Sequence, residues 1–227
     1  MIRKLQLPKW NPQHDVKGGP LRFAERALFF LGEGAVQISL DDRKPYPPGD
    51  LAMWIFILAE LTVFGIFFCA YAFTRMNNPE LFNQFQLTLN RDAALINTVA
   101  LLTSSYFVVR SLASIRQGES ADCARWLWWG LAMGAIFVAV KGYEYVDHFS
   151  HGISLSTNSF YMFYLSLTFF HFMHVILGML VLAAVALKAG RGGYSADDHV
   201  GVETGGSYWH MVDMVWLVLF PLVYVMR

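Results

Sequence analysis

The sequence predicts an all-α membrane protein: a bundle of five transmembrane helices preceded by a polar N-terminal segment. Three observations carry this. Of 227 residues, 56% are hydrophobic and only 15% charged, whereas soluble domains carry about 25% charged residues. Five apolar stretches each approach or exceed the length, about 20 residues, that a helix needs to cross a bilayer. The connections between them are short and rich in turn-forming or charged residues. The chain thus divides into a segment over 1–50 and a transmembrane domain over 51–227.

Residues 1–50 are polar, with eight Lys or Arg and with Pro12, Pro20, Pro45, Pro47 and Pro48 among them. They do not read as a signal peptide. The apolar region from Leu21 to Leu40 is interrupted by Arg22, Glu25, Arg26 and Glu33, and no small-residue cleavage site follows. Phe23, Ala27, Phe30 and Leu31 share a helical face opposite Arg22, Glu25 and Arg26, which predicts a short helix in the cytoplasmic interface; the competing reading is a flexible tail.

The spans are placed at Leu51–Thr74, Ala93–Leu112, Trp126–Val146, Ser159–Leu187 and Ser207–Met226. Between them lie Arg75 to Pro79, Arg116 to Ser120, His148 to Thr157, and Lys188 to Val202 with its Gly-Arg-Gly-Gly. No internal repeat of the transporter kind is visible. With the N-terminus cytoplasmic, that side collects thirteen Lys or Arg against three on the other. The C-terminus is therefore expected to be periplasmic.

The zero net charge and the lack of a basic run argue against nucleic acid as a partner. Cys69 and Cys123 sit at different depths, so neither a disulfide nor a thiolate metal site is expected. Trp126, Trp128 and Trp129 read as interfacial anchors.

Intramembrane polar groups are costly and mark either a ligand or proton-carrying role or a contact with another helix or subunit. They are Glu60, Asn97, Lys141, Glu144, His171, His174, Glu203, His210 and Asp213. On the last span, Glu203 and His210 fall on one face with Asp213 and Trp216 close beside it, leaving Leu217 to Val223 for lipid. Lys141 and Glu144 stand at i, i+3 and read as an ion pair near the end of the third span. Glu60 has no basic residue within helical reach on its own span, so it stays protonated or finds a partner elsewhere.

Metal chemistry within the chain is disfavoured. A di-iron bundle needs Glu-x-x-His on two helices, whereas the chain offers His171-x-x-His174 and His210-x-x-Asp213. A b-type haem needs axial histidines at matched depth on facing helices. His171 and His174 lie near mid-span while His210 lies toward one end. No nucleophile motif or phosphate-binding glycine loop appears. No catalytic, cofactor-binding or metal-binding residue is therefore expected.

Several motifs nevertheless resemble one family. Trp54-Ile-Phe-Ile-Leu-Ala-Glu-Leu-Thr-Val-Phe-Gly65 is similar to the Trp/Glu helix of subunit III of haem–copper cytochrome oxidases. Asn97-Thr-Val-Ala-Leu-Leu-Thr-Ser-Ser105 resembles its next helix, and Gly142-Tyr-Glu-Tyr145 its Glu-Tyr signature. Phe170-His-Phe-Met-His-Val-Ile-Leu-Gly178 resembles its His-x-x-His-Val-x-x-Gly element. Glu203 with Tyr208-Trp-His-Met-Val-Asp-Met-Val-Trp216 resembles its closing motif.

The resemblance implies a bundle packed against the catalytic subunit, with haem and metal in that partner and none in this chain. It assigns Glu60 as the family's buried carboxylate. It makes Asn97, Glu144, Tyr145, His171, His174, Glu203, Trp209, His210, Asp213 and Trp216 an interhelical polar network. Long members have seven helices, the first two splayed around a lipid-filled cleft, and here residues 1–50 replace those two. Bound lipid is the one companion molecule the resemblance leaves to this chain. Lys141 stands where a neutral residue is expected. The five-helix form also resembles subunit-III-like proteins associated with bacterial nitric oxide reductases.

The expected function is that of a non-catalytic accessory subunit of a respiratory haem–copper oxidase or nitric oxide reductase in the bacterial inner membrane. The alternative is a self-sufficient small proton channel or transporter using Glu60 and the intramembrane histidines. Discontinuous helices or repeat symmetry would favour it, and neither is evident in the sequence.

Overall fold

The structure is a computed structural model that describes residues 50–226. The predicted interfacial helix and the boundary at residue 50 fall on or against 1–49 and lie outside the described residues. Helix α1 covers Leu51–Asn77, the short α2 Pro79–Gln86, α3 Arg91–Arg116, α4 Ser120–Ser150, α5 Ser159–Gly190 and α6 Val200–Phe220, followed by a π turn at Pro221–Val225. Among the described residues, five helices are long and apolar enough to cross a membrane, as the sequence predicts.

The helix starts are set by short polar side chains. Asp50 accepts from the Ala52 N–H at 3.1 Å, Asn90 from Ala93 at 3.0 Å and Asn158 from Tyr161 at 2.9 Å. Each satisfies an N–H that the first helical turn leaves without a carbonyl. Between α3 and α4, Gly118 takes φ +82°, a region open to glycine at no steric cost. Its N–H closes onto Ile115 O at 2.9 Å, so two long helices turn back on each other within three residues, Gln117 to Glu119.

Helix α6 is the centre of the bundle. Over half of its apolar window, 56%, is buried within the protein, against 11% for α1. It packs on α5, α3 and α1, while α3 and α4 form the most extensive helix–helix contact. Small residues make that pair close: the Ser104 hydroxyl donates to Gly130 O at 2.7 Å, and glycine lets the two backbones approach without a side chain between them.

Three features depart from the sequence reading. The helices outrun the apolar spans, with α4 continuing to Ser150 and α6 beginning at Val200, because backbone hydrogen bonding does not stop where hydropathy falls. The Arg75–Pro79 connection leads into α2, which the apolar criterion misses because it is only eight residues long and half polar. Its Phe82 and Gln86 are buried while Glu80, Asn83 and Gln84 are exposed.

The third departure corrects the lipid-facing reading of Leu217 to Val223. Leu217 and Val218 are exposed, but Leu219, Val223 and the adjoining Tyr224 are buried. Pro221 has no N–H to donate, the helix widens into the π turn, and the chain end swings inward. Two carbonyls of the turn are taken up from other elements: Gln86 Nε2 donates to Val223 O at 2.9 Å and Arg75 Nη1 to Leu222 O at 3.5 Å. Helix α2 thus secures the end of the central helix.

Candidate functional site

The polar groups inside the bundle fall into separate sets. The most enclosed surrounds Lys141 on α4. Its ammonium has three protons, and each finds an acceptor: Glu144 Oε2 at 3.0 Å, the Tyr164 hydroxyl of α5 at 3.1 Å and the Tyr224 hydroxyl of the π turn at 2.6 Å. The Tyr164 hydroxyl donates in turn to Glu144 Oε1. The rings of Tyr164, Tyr145, Tyr224 and Trp216 lie 4.9 to 5.9 Å from the ammonium, close enough for their negative faces to stabilise it. Lys141, Tyr164 and Tyr224 are wholly buried, and Glu144 is 7% exposed.

The sequence reading of Lys141 and Glu144 as an ion pair is thus correct in its partners and incomplete in its extent. Tyr164 and Tyr224 were not nominated. The signal was available, since a phenol inside a membrane helix needs a hydrogen-bond partner. Nothing in the sequence, however, says which helices meet. Tyr145 belongs to the cluster through its ring, which stands edge-on to Phe172 at 5.5 Å; its hydroxyl is buried on the side of Thr168.

The second set joins α6 to α3 as a ladder of three rungs. Arg116 Nη2 bonds Glu203 Oε1 at 3.0 Å, His210 Nδ1 lies 3.3 Å from the Ser105 hydroxyl, and Trp216 Nε1 donates to the Thr98 hydroxyl at 2.9 Å. Partner numbers fall along α3 as they rise along α6, so the two helices are antiparallel. The first rung is half open, with Arg116 55% exposed, and is worth little by itself, about 0–1 kcal/mol. His199 Nε2 adds a contact to the same Glu203 oxygen at 3.4 Å. The third rung is buried. Thr98 also donates to Ala94 O at 2.8 Å, so its hydroxyl gives and accepts. Trp216→Phe removes the donor together with part of a wholly buried indole; it is expected to cost more than the hydrogen bond alone, about 1 kcal/mol, read as a drop in the thermal unfolding midpoint. An unchanged midpoint would show that this rung contributes nothing.

Glu60 finds the distant partner its position calls for: His174 Nε2 lies 3.1 Å from Glu60 Oε2, across α1 and α5. His174 Nδ1 is within 2.7 Å of Phe170 O, which makes Nδ1 the donor and leaves Nε2 to face the carboxyl group. The pair is 10% and 18% exposed at the edge of the bundle.

The remaining nominated residues are placed singly. His171 is fully buried, stacked on Trp216 at 5.3 Å and edge-on to Phe137 at 5.6 Å, and neither ring nitrogen has a protein partner. Asn97 is wholly buried, and its amide atoms, Asp213 Oδ1 and Trp209 Nε1 have no hydrogen-bond partner among the described residues, although the Asp213 carboxylate stands beside Ser105 of the second rung. The indole of Trp209 lies against Gly134 of α4 and Gly178 of α5.

Among the described residues no three His, Cys, Asp or Glu groups converge as ligands would. Nor do His171, His174 and His210 face one another as an axial pair for haem: one is sandwiched by rings, one is tied to Glu60 and one to Ser105.

Comparison with known proteins identifies a family. The family described as cytochrome c oxidase subunit III matches residues 49–227. A protein of Synechocystis sp. named cytochrome c oxidase subunit 3 is 35% identical over 202 residues, covering 83% of this chain and 85% of that protein. One of the same name from Thermostichus vulcanus is 32% identical over 177 residues, covering 78% and 86%. A protein of Aeropyrum pernix named heme-copper oxidase subunit I+III is 29% identical over 189 residues, which cover 80% of this chain and 23% of that much longer one. The chain belongs to the cytochrome c oxidase subunit III family.

Proposed function

We propose that the chain is the accessory, non-catalytic third subunit of a haem–copper oxidase in the bacterial inner membrane, packed against the catalytic subunit that holds the haem and metal. The observation that carries this is the family match over residues 49–227, the whole transmembrane part. The chain's own residues are consistent with it. Glu60 with His174 and His210 with Ser105 join helices within the chain.

The thirteen-to-three charge bias favours a cytoplasmic N-terminus, with α2 and the π turn on the periplasmic side. Lipid would meet the exposed face of α1, which includes Ile55, Leu58 and Ile66. Oxygen is the favoured acceptor, since the names of the relatives are those of cytochrome c oxidase subunits. The self-sufficient channel finds no support. His171 is walled by Trp216 and Phe137 and bonds no protein group that could continue a relay.

The test is affinity purification of the tagged chain in mild detergent, with a reduced-minus-oxidised visible spectrum and identification of the co-purifying chains. The expected result is a larger haem-bearing partner. Copper in that partner marks an oxygen reductase; non-haem iron in its place marks a nitric oxide reductase and overturns the choice of acceptor. A haem-free chain persisting in native-membrane extraction would overturn the accessory reading itself.

A further inference from the structure

A groove of about 400 Å³ opens between the beginning of α3 and the last turns of α4. Thr88, Asn90, Glu144, Asp147 and His148 give it polar walls, and Ala93 and Ala139 form part of its apolar side. Glu144 therefore belongs to two environments. One carboxylate group both lines this groove and holds Lys141 in the buried cluster.

The other members of the cluster have no such opening. Lys141, Tyr164 and Tyr224 are each 0% exposed. Trp216, also wholly buried, and the ring of Tyr145 close over the ammonium. Glu144 stands six residues before the end of α4, about 9 Å along the axis at 1.5 Å per residue. The groove thus opens the surface of the protein to one carboxylate of the cluster and to none of its other members. A cluster serving only to lock helices together would gain nothing from such an opening, since water competes for the hydrogen bonds of a buried pair.

We propose that Lys141, Glu144, Tyr164 and Tyr224 form a proton-exchange site with a single gate, loaded and unloaded through this groove from the face of the protein that carries α2. Uptake adds one proton from water to the Glu144 carboxylate, converting it to the acid, while Lys141 remains an ammonium. Release returns that proton to the groove, and no other bond changes. The Tyr164 hydroxyl, which donates to Oε1 of the ionised form, turns to accept when that oxygen carries the proton. The two phenols and the ammonium thereby give the buried site a set of partners in both states.

Every element around Glu144 contributes to its setting. Helix α4 supplies Lys141, Asp147 and His148, whose Nδ1 lies 2.8 Å from Glu144 O. Helix α5 supplies Tyr164 and Tyr161, the latter bonded to Thr88 at 3.0 Å. The π turn supplies Tyr224, and the α2–α3 connection supplies Thr88 and Asn90. The proposal does not rest on the accessory-subunit reading, because all of these groups belong to this chain.

The experiment uses the full chain, purified with whatever co-purifies, and infrared difference spectroscopy after a downward pH jump. Glutamate labelled with ¹³C at the side-chain carboxyl identifies Glu bands without any substitution, and Glu144→Gln assigns the one that disappears. The expected result is a Glu carboxyl band that grows on acidification and is absent in Glu144→Gln. Groove-filling variants, Ala93→Phe and Ala139→Phe, leave all four cluster residues in place. They are expected to slow the growth of that band by about tenfold or more, since exchange must then await a local opening of the helix pair. Should Glu144→Gln fail to fold, the ¹³C-shifted band and its slowing in the groove-filled variants decide the matter. Glu bands that all persist in Glu144→Gln, or that all grow equally fast with the groove filled, overturn the proposal.

Discussion

Lys141→Ala is expected to destabilise the purified protein by about 3–5 kcal/mol, because it leaves a buried carboxylate without its counter-charge. In a chain of this size that corresponds to a fall in the thermal unfolding midpoint on the order of 10 °C. The loss comes from what is left behind. Glu144 keeps its bond from Tyr164 but loses the ammonium, and the Tyr224 hydroxyl loses its shortest contact, 2.6 Å. The π turn that carries Tyr224 is then held by Gln86, Arg75, packing and the longer 3.4 Å contacts of its hydroxyl with Glu144 and Tyr164. Removing both charges tests the reasoning. Lys141→Met with Glu144→Leu should cost less than the sum of the two single changes by about 2 kcal/mol, the range in which contacting residues couple. Additive effects, or a Lys141→Ala protein as stable as the parent, would mean that Lys141 is neutralised by groups outside this cluster.

How much of this was legible in the sequence depends on whether one helix or two are needed to read it. The five spans, the polar face of the last one and the Lys141–Glu144 pair each follow from the periodicity of a single helix, and they stand in the structure. That Glu60 either stays protonated or finds a partner elsewhere also followed, from the lack of a base on its own span, and the structure supplies a partner. Which residue it meets, His174, depends on how α1 lies against α5. The same limit hid Ser105, Thr98 and Arg116 as the partners of α6, and Tyr164 and Tyr224 as ligands of Lys141. Side-chain spacing along one helix carries no register against another; that is set by how small residues let the helices approach. The inward turn at Pro221 was misread for a different reason. An apolar run beside a proline looks alike whether it meets lipid or protein, and only α2, too short to register as a span, shows that it is covered.

Gly178→Val is expected to be the most damaging single substitution of a small residue, costing about 3 kcal/mol, at the upper end of what overpacking a tight core brings. A Cβ at Gly178 would stand 2.9 Å from Cε3 of Trp209 and 3.3 Å from the Tyr208 ring. The indole has little room to retreat across the bundle, because its Cη2 already lies so close to Gly134 that a Cβ there would stand 3.0 Å from it. Trp209 is thus seated between two glycines on different helices, and its ring sets the spacing of α4, α5 and α6 together. Trp209→Ala should therefore cost a similar amount by the opposite route, about 3–5 kcal/mol for the void left by a wholly buried indole. The pairing is decisive. Trp209 Nε1 has no protein partner, so Trp209→Phe gives up no protein hydrogen bond and mainly makes room. In that background Gly178→Ala should be better tolerated than in the parent, with the gain read as a smaller drop in the unfolding midpoint. If Gly178→Ala is equally harmful with Phe as with Trp at 209, the indole is not what Gly178 accommodates, and the spacing of the three helices must be set by the Lys141 cluster instead.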